Sequence, residues 1–264
     1  MTGMQKLYLG TNTKMYKTIA ETVDFLTKLS ENTKDLSREN LELFVIPSYT
    51  TLKDARQCVS KESITIGAQN MGWEDRGQFT GEISPLMLKE VDIQITEIGH
   101  SERRHTLHET DEEENLKVLC SLRHGFRPLL CIGETAEQKG YDIGDEVLRM
   151  QLKLNLHGVT AAQARNVLVA YEPVWAIGVN GTPATPDYVE PRHATIRRTL
   201  VELFGEEVGN AIPVLYGGSV NNDNCEALIE LDNVDGLFIG RSAWDADNFN
   251  VIIRKVLKKL GREC

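Results

Sequence analysis

Five segments of the chain hold residue types that could do chemistry together. Asn12 and Lys14 follow the apolar run LYLGT, His100 stands in IGHSERR, and Glu172 stands in AYEPVWAIG. Two glycine-containing loops read Tyr216-Gly217-Gly218-Ser219-Val220 and Ile239-Gly240-Arg241-Ser242. A carboxylate, an imidazole and a cation are what is needed to take a proton from a carbon, polarise the carbonyl beside it and hold an anion. Glycine loops let backbone N–H groups approach a phosphate closely.

Each residue has a plainer reading when taken alone. A lysine at a strand end is usually a solvated charge, and a single histidine near a loop is usually a cap or a hydrogen-bonded group. A glutamate before proline can simply end a strand, and Gly-Gly-Ser is commonly a tight turn. Their joint placement on the elements below is what gives them weight.

Eight short runs rich in Val, Ile, Leu, Phe and Tyr begin near Leu7, Leu41, Ile64, Ile93, Pro128, Val167, Ile212 and Gly236. They recur on average about every 33 residues, the size of one strand–helix unit. Several are nearly continuously apolar, as parallel strands buried on both faces are. Helical stretches fill the gaps. Ile19, Val23, Leu26 and Leu29 recur at helical spacing, and Phe249, Ile252, Val256 and Leu260 form the stripe of a last helix. Residues 111–124 carry acids first, Arg123 and His124 last, and then Gly125, an order that complements the helix dipole. Thr185-Pro186-Asp187 reads as an N-cap, a proline at the first helical position and an acid in the first turn.

Such alternation fits a closed (β/α)8 barrel or a doubly wound open sheet. The open sheet would usually announce a GxGxxG turn after its first strand, where this chain has Gly10-Thr11-Asn12-Thr13-Lys14. The α/β class with a (β/α)8 barrel is therefore expected, as a single domain over residues 1–264. In a barrel the strand C-termini and the loops after them carry function, so all five segments converge on one rim.

The 264 residues include 29 Lys plus Arg against 39 Asp plus Glu, a formal net charge of −10. That balance argues against non-specific binding to nucleic acid or membrane, while leaving room for a locally positive pocket. Cysteines at 58, 120, 131, 225 and 264 are odd in number with no CxxC spacing, which suggests reduced, mostly buried thiols and a cytoplasmic location. The N-terminus lacks the apolar segment of a signal peptide, and no run of 18 or more apolar residues occurs.

IGHSERR, AYEPVWAIG, YGGSV and the FTGEISP stretch at 79–85 resemble the triosephosphate isomerase family, in that family's order and spacing over nearly the whole chain. The resemblance implies a TIM barrel, generally a homodimer. It implies interconversion of an aldose phosphate and a ketose phosphate through an enediolate, with no cofactor and no metal. Carried over residue by residue, Glu172 is the base, His100 the neutral electrophile and Lys14 the cation that steadies the anionic substrate. Asn12 helps seat the substrate, and Glu102 is a carboxylate close to the lysine, although a salt bridge to a neighbouring arginine explains it nearly as well. Backbone N–H groups of Gly178, Ser219 and Gly240 hold the phosphate. Pro173 to about Ala184 forms a mobile lid, and the loop from Gln69 to Phe79 inserts into a partner subunit, with Met71 and Trp73 exposed on a monomer.

Three departures from the family pattern stand out. Asn-Trp-Lys is here Asn12-Thr13-Lys14, the far hinge of the lid reads GVNGTPATP, and the phosphate loop's Gly-Gly is Gly240-Arg241. They read either as drift or as a pocket reshaped for a longer substrate, as in a family branch that isomerises erythrulose phosphates. The weight of the larger family puts glyceraldehyde 3-phosphate and dihydroxyacetone phosphate first and the tetrulose phosphate close behind. Arg241 turning inward to the phosphate is slightly favoured over its facing solvent. Two other classes compete. A metal-dependent barrel hydrolase would want an HxH pair where Asn12 and Lys14 stand, and His105, His108 and Glu109 read as solvated rather than as ligands. A non-catalytic phosphate-binding barrel would keep the glycine loops but could lose Glu172, His100 or Lys14, all of which are present.

Overall fold

The structure, a computed structural model, describes residues 6–178 and 181–262; Cys264 and two residues of the expected lid lie outside them. Eight parallel strands close into a barrel in sequence order. They are β1 Leu7–Asn12, β2 Leu41–Ile46, β3 Thr65–Ala68, β4 Ile95–Ile98, β5 Arg127–Ile132, β6 Leu168–Tyr171, β7 Val214–Tyr216 and β8 Gly236–Ile239. The seam is the pairing of β1 with β8, Tyr8 opposite Gly236 and Thr11 opposite Ile239. All eight expected runs thus became strands of a (β/α)8 barrel.

Side chains fill the barrel in layers. Phe44, Ile95, Leu129, Leu168, Leu215 and Phe238 make an apolar middle, with the rings of Phe44 and Phe238 stacked at 5.7 Å. Gly10 has no space for more than hydrogen, since a Cβ there would stand 2.2 Å from the Phe44 ring. At the N-terminal mouth Glu42 is held by Arg127 and by Lys6 at 2.9 Å. Burial opposes ionisation of Glu42, and the two cations more than offset it, bringing the carboxyl down to about 2. This end is a structural plug, which leaves chemistry to the opposite rim.

The helices pack outside, and local sequence explains their ends. The helix Asp111–Arg123 starts at Thr110 with a capping box to Glu113, and Gly125 follows at φ 78°. Ala246–Lys259 buries Phe249, Ile252 and Val256, as its stripe foretold. Two expectations need correction. In the helix Ile19–Asn32 the inward face is Thr22, Phe25, Leu26 and Leu29, while Ile19 in the first turn is exposed. Thr185 does occupy the N-cap position before Pro186, but its hydroxyl makes no capping hydrogen bond. Among the described residues Cys58, Cys120, Cys131 and Cys225 are free thiols, and no helix is long and apolar enough to cross a membrane.

Candidate active site

A cavity of about 410 Å³ opens at the C-terminal rim of the strands. Asn12, Lys14, His100, Glu102, Glu172, Gly178, Ser219, Gly240 and Arg241 all line it. Every site residue expected from the sequence therefore meets in one place.

Glu172 extends from the end of β6. Its backbone N–H donates to Ile132 O at 2.8 Å, and Pro173 stiffens the chain beyond it. The carboxylate is buried, and its Oε2 has no hydrogen-bond partner among the described residues. Burial raises its pKa above the ordinary glutamate range, opposed by His100 and then Lys14. His100 Nε2 stands 3.8 Å from that oxygen. The imidazole also caps the helix Ser101–Thr106, where Nδ1 accepts the N–H of Glu102 at 3.1 Å. An acceptor at Nδ1 places the proton on Nε2, so a neutral ring offers an N–H donor beside the carboxylate.

Lys14 sits at φ 50°, a left-handed conformation unusual for a residue with a side chain. Asn12 stabilises that turn: its Oδ1 accepts Lys14 N–H at 2.6 Å and Gln69 Nε2 at 2.9 Å. Lys14 Nζ meets Glu102 Oε1 at 2.5 Å. Glu102 thus pairs with the lysine, and the arginines of IGHSERR are used elsewhere. Arg104 holds the loop below His100 by donating to Gly99 O at 2.7 Å and Cys131 O at 3.2 Å. Arg103 pairs with Glu109, which also meets Lys117 at 2.5 Å. His105 and His108 are solvated as expected, but Glu109 is part of this half-buried ion network.

Ser219 and Gly240 have backbone N–H groups with no acceptor among the described residues. A Cβ at Gly240 would meet nothing within 4 Å, so the backbone there is open to an approaching anion, and Gly178 takes φ 87°. Arg241 is exposed at the cavity mouth, and its guanidinium has no ion pair among the described residues. The described start of the lid is tied down. Trp175 Nε1 donates at 2.8 Å to Glu134, a fully buried carboxylate that also accepts Tyr188 OH at 2.9 Å and Tyr171 OH at 3.1 Å.

Sequence reading missed three parts of the site. The aromatic lacking at Thr13 has a counterpart in Trp244, which donates to Asn12 O at 2.8 Å and packs on Tyr16 with ring centroids 4.5 Å apart. Glu134 gave only a strand-end signal. Glu97 lies beneath the cavity, and its mixed run IQITEIG, with Gln94 and Thr96 also polar, gave no sign that this acid is buried. The loop after β3 also differs from expectation. Met71 is fully buried in its own core and Trp73 is half-buried against Phe79, so the loop folds back on its barrel and those two side chains do not stand free.

A family model described as triosephosphate isomerase matches residues 7–256. A protein of Rhizobium etli named L-erythrulose-1-phosphate isomerase is 47% identical over 258 residues, covering 97% of this chain and 94% of the relative. Relatives of the same name from Rhizobium meliloti and Brucella abortus are 46% and 44% identical, covering 96% and 97% of this chain and 98% and 99% of their own.

Proposed function

Given that the chain belongs to the triosephosphate isomerase family, we propose that it isomerises a four-carbon sugar phosphate, L-erythrulose 1-phosphate, by moving a carbonyl between adjacent carbons. That it is a sugar-phosphate isomerase follows from the family and the relatives. The choice of a tetrulose is the finer step. It reverses the order that the sequence suggested, and what supports it is the name shared by relatives 43–47% identical over nearly their full length.

The observation that carries the mechanism is the unpartnered Oε2 of Glu172, buried and 3.8 Å from His100 Nε2. A desolvated carboxylate with a free lone pair facing a cavity is built to accept a proton. Glu172 removes the C3 proton of the substrate, His100 Nε2–H polarises the C2 carbonyl, and Lys14 offsets charge on the enediolate. Glu172 then returns the proton to C2 as His100 exchanges protons between the two oxygens. On a triose this chemistry links an aldose and a ketose. On L-erythrulose 1-phosphate it shifts the carbonyl from C2 to C3, so both partners are ketoses. The phosphate rests on the N–H groups of Gly178, Ser219 and Gly240, with Asn12 seating the substrate and Arg241 at the rim.

The test is kcat/KM for L-erythrulose 1-phosphate and for glyceraldehyde 3-phosphate on one preparation, with the product identified by NMR. A higher value for the tetrulose is expected; a higher value for the triose overturns the four-carbon assignment.

A further inference from the structure

Glu97 is the one carboxyl on the inner face of β4, fully buried under the cavity floor and not lining it. A carboxyl there must be paired or hydrogen-bonded, because the core offers it no water. No cation among the described residues pairs with it: the nearby ammonium of Lys14 is engaged by Glu102. Its partners are neutral. Oε2 accepts Asn12 Nδ2–H at 2.6 Å, and Oε1 receives the thiol of Cys131 at 3.7 Å. Asn12 is in turn fixed at both ends, since its Oδ1 holds Lys14 N–H and Gln69 while its Nδ2 is held from below by Glu97. The strained turn at Lys14 hangs on that amide.

We propose that Glu97 is a positioning residue, which fixes the Asn12 amide and through it the turn that presents Lys14 to the substrate. The role rests on the reading of Lys14 and Asn12 as substrate-handling groups. The carboxyl serves as a neutral acid. Burial is the main reason; the charge of Glu172 adds to it, Lys14 opposes it, Glu102 adds again, and the Cys131 thiol opposes weakly. These are the charged and titratable groups that face it, from the ends of β6 and β1, the helix after β4, and β5. A neutral Glu97 leaves Glu172 as the ionised carboxylate of the pair, as two carboxyls in one dry site require.

The experiment compares Glu97→Leu, Glu97→Gln, Asn12→Ala and the double variant Asn12→Ala/Glu97→Leu. It measures kcat, KM, the pH profile of kcat/KM, thermal unfolding and affinity for inorganic phosphate. Leucine keeps the volume but cannot accept from Asn12, so kcat should fall on the order of 10²-fold, as a displacement of about 1 Å does. Phosphate affinity should stay nearly constant, because the glycine loops hold it. Glutamine still accepts from Asn12 and is uncharged. It should recover kcat to within about threefold of wild type, less than the loss of one hydrogen bond, with the acid limb in place. In the double variant Glu97→Leu should add little to Asn12→Ala, since both act through one amide. Full activity in Glu97→Leu, a glutamine variant as impaired as leucine, an acid limb moved to lower pH by Glu97→Gln, or additive losses each overturn the role. If the leucine variant does not fold, the glutamine variant and its pH profile still decide. A wild-type chain that turns over no triose or tetrulose phosphate overturns the functional reading and this role with it; the outcomes above overturn the role alone.

Discussion

The carbonyl of Glu172 occupies the space where Gly133 would carry a side chain: an added Cβ would stand 1.9 Å from that oxygen. The end of β5 is therefore part of what holds the base. Gly133→Ala should push the Glu172 backbone away by an amount on the order of 1 Å, and displacements of that size cost roughly 10²-fold in rate. The measurement is kcat beside thermal unfolding, with loss expected in both. A variant with unchanged kcat would show that the base tolerates displacement.

Glu172→Asp keeps the charge but retracts it by one methylene, about 1 Å. We expect kcat to fall by roughly 10²-fold, with KM changing far less. The pH profile of the wild type carries a second reading. Burial raises the pKa of Glu172, with His100 and Lys14 opposing. A base must be ionised, so activity should be lost, as pH falls, at a higher pH than an ordinary glutamate would set. An acid limb of kcat/KM at or below 4.5 contradicts this.

His193 is buried against Tyr171 and Tyr216, with Nδ1 donating to Asn233 O at 3.0 Å. Burial pushes the imidazole down from 6.5 to about 4. The unfolded chain binds a proton as pH drops through 6.5, whereas the folded chain does so only near 4. Stability should thus be intact above 6.5 and should decline across this window by about 3 kcal/mol from this group. His193→Asn, though less stable overall, should show a flatter dependence of unfolding free energy on pH between 6.5 and 4; an equal slope rejects the assignment.

Arg241 stands at the cavity mouth where the family pattern has glycine, exposed and with no ion pair among the described residues. Turned toward a bound phosphate, it would supply a charge-assisted hydrogen bond. Arg241→Gly should raise KM several-fold without changing thermal unfolding, and the difference should shrink at high salt. KM values indistinguishable from wild type at low salt place the guanidinium in solvent.

Of the residues that the sequence offered for a homodimer contact, Met71 is buried, while Phe79 of the same loop is exposed. Met15, at 91% exposure, Met87 and Phe79, at 56% and 46%, and Tyr16 are among the apolar side chains around this rim and loop left uncovered. Covering them is the reason to expect a dimer. Sedimentation equilibrium at micromolar concentration should report two copies; a lone monomer removes this reading.

By itself the sequence determined the strands, the helix Asp111–Arg123 with its acidic start and its Gly125 stop, and the convergence of Asn12, Lys14, His100 and Glu172 on one rim. Those features are written in local periodicity and in the rule that places strand ends together. Tertiary structure chose Lys14 over a neighbouring arginine as the partner of Glu102, a pairing across 88 positions that the resemblance had only suggested, and it alone decided that Asn12 meets Glu97 across 85 and that Trp244 reaches Asn12 across 232. Nothing in the neighbourhood of Glu97 distinguishes a buried acid from a misplaced surface charge. The same holds for Met71, whose loop composition suits exposure or burial equally. Closure of the barrel chose between them, because only it brings β1, β4, β5 and β8 to one dry interior, where each polar group must find a partner.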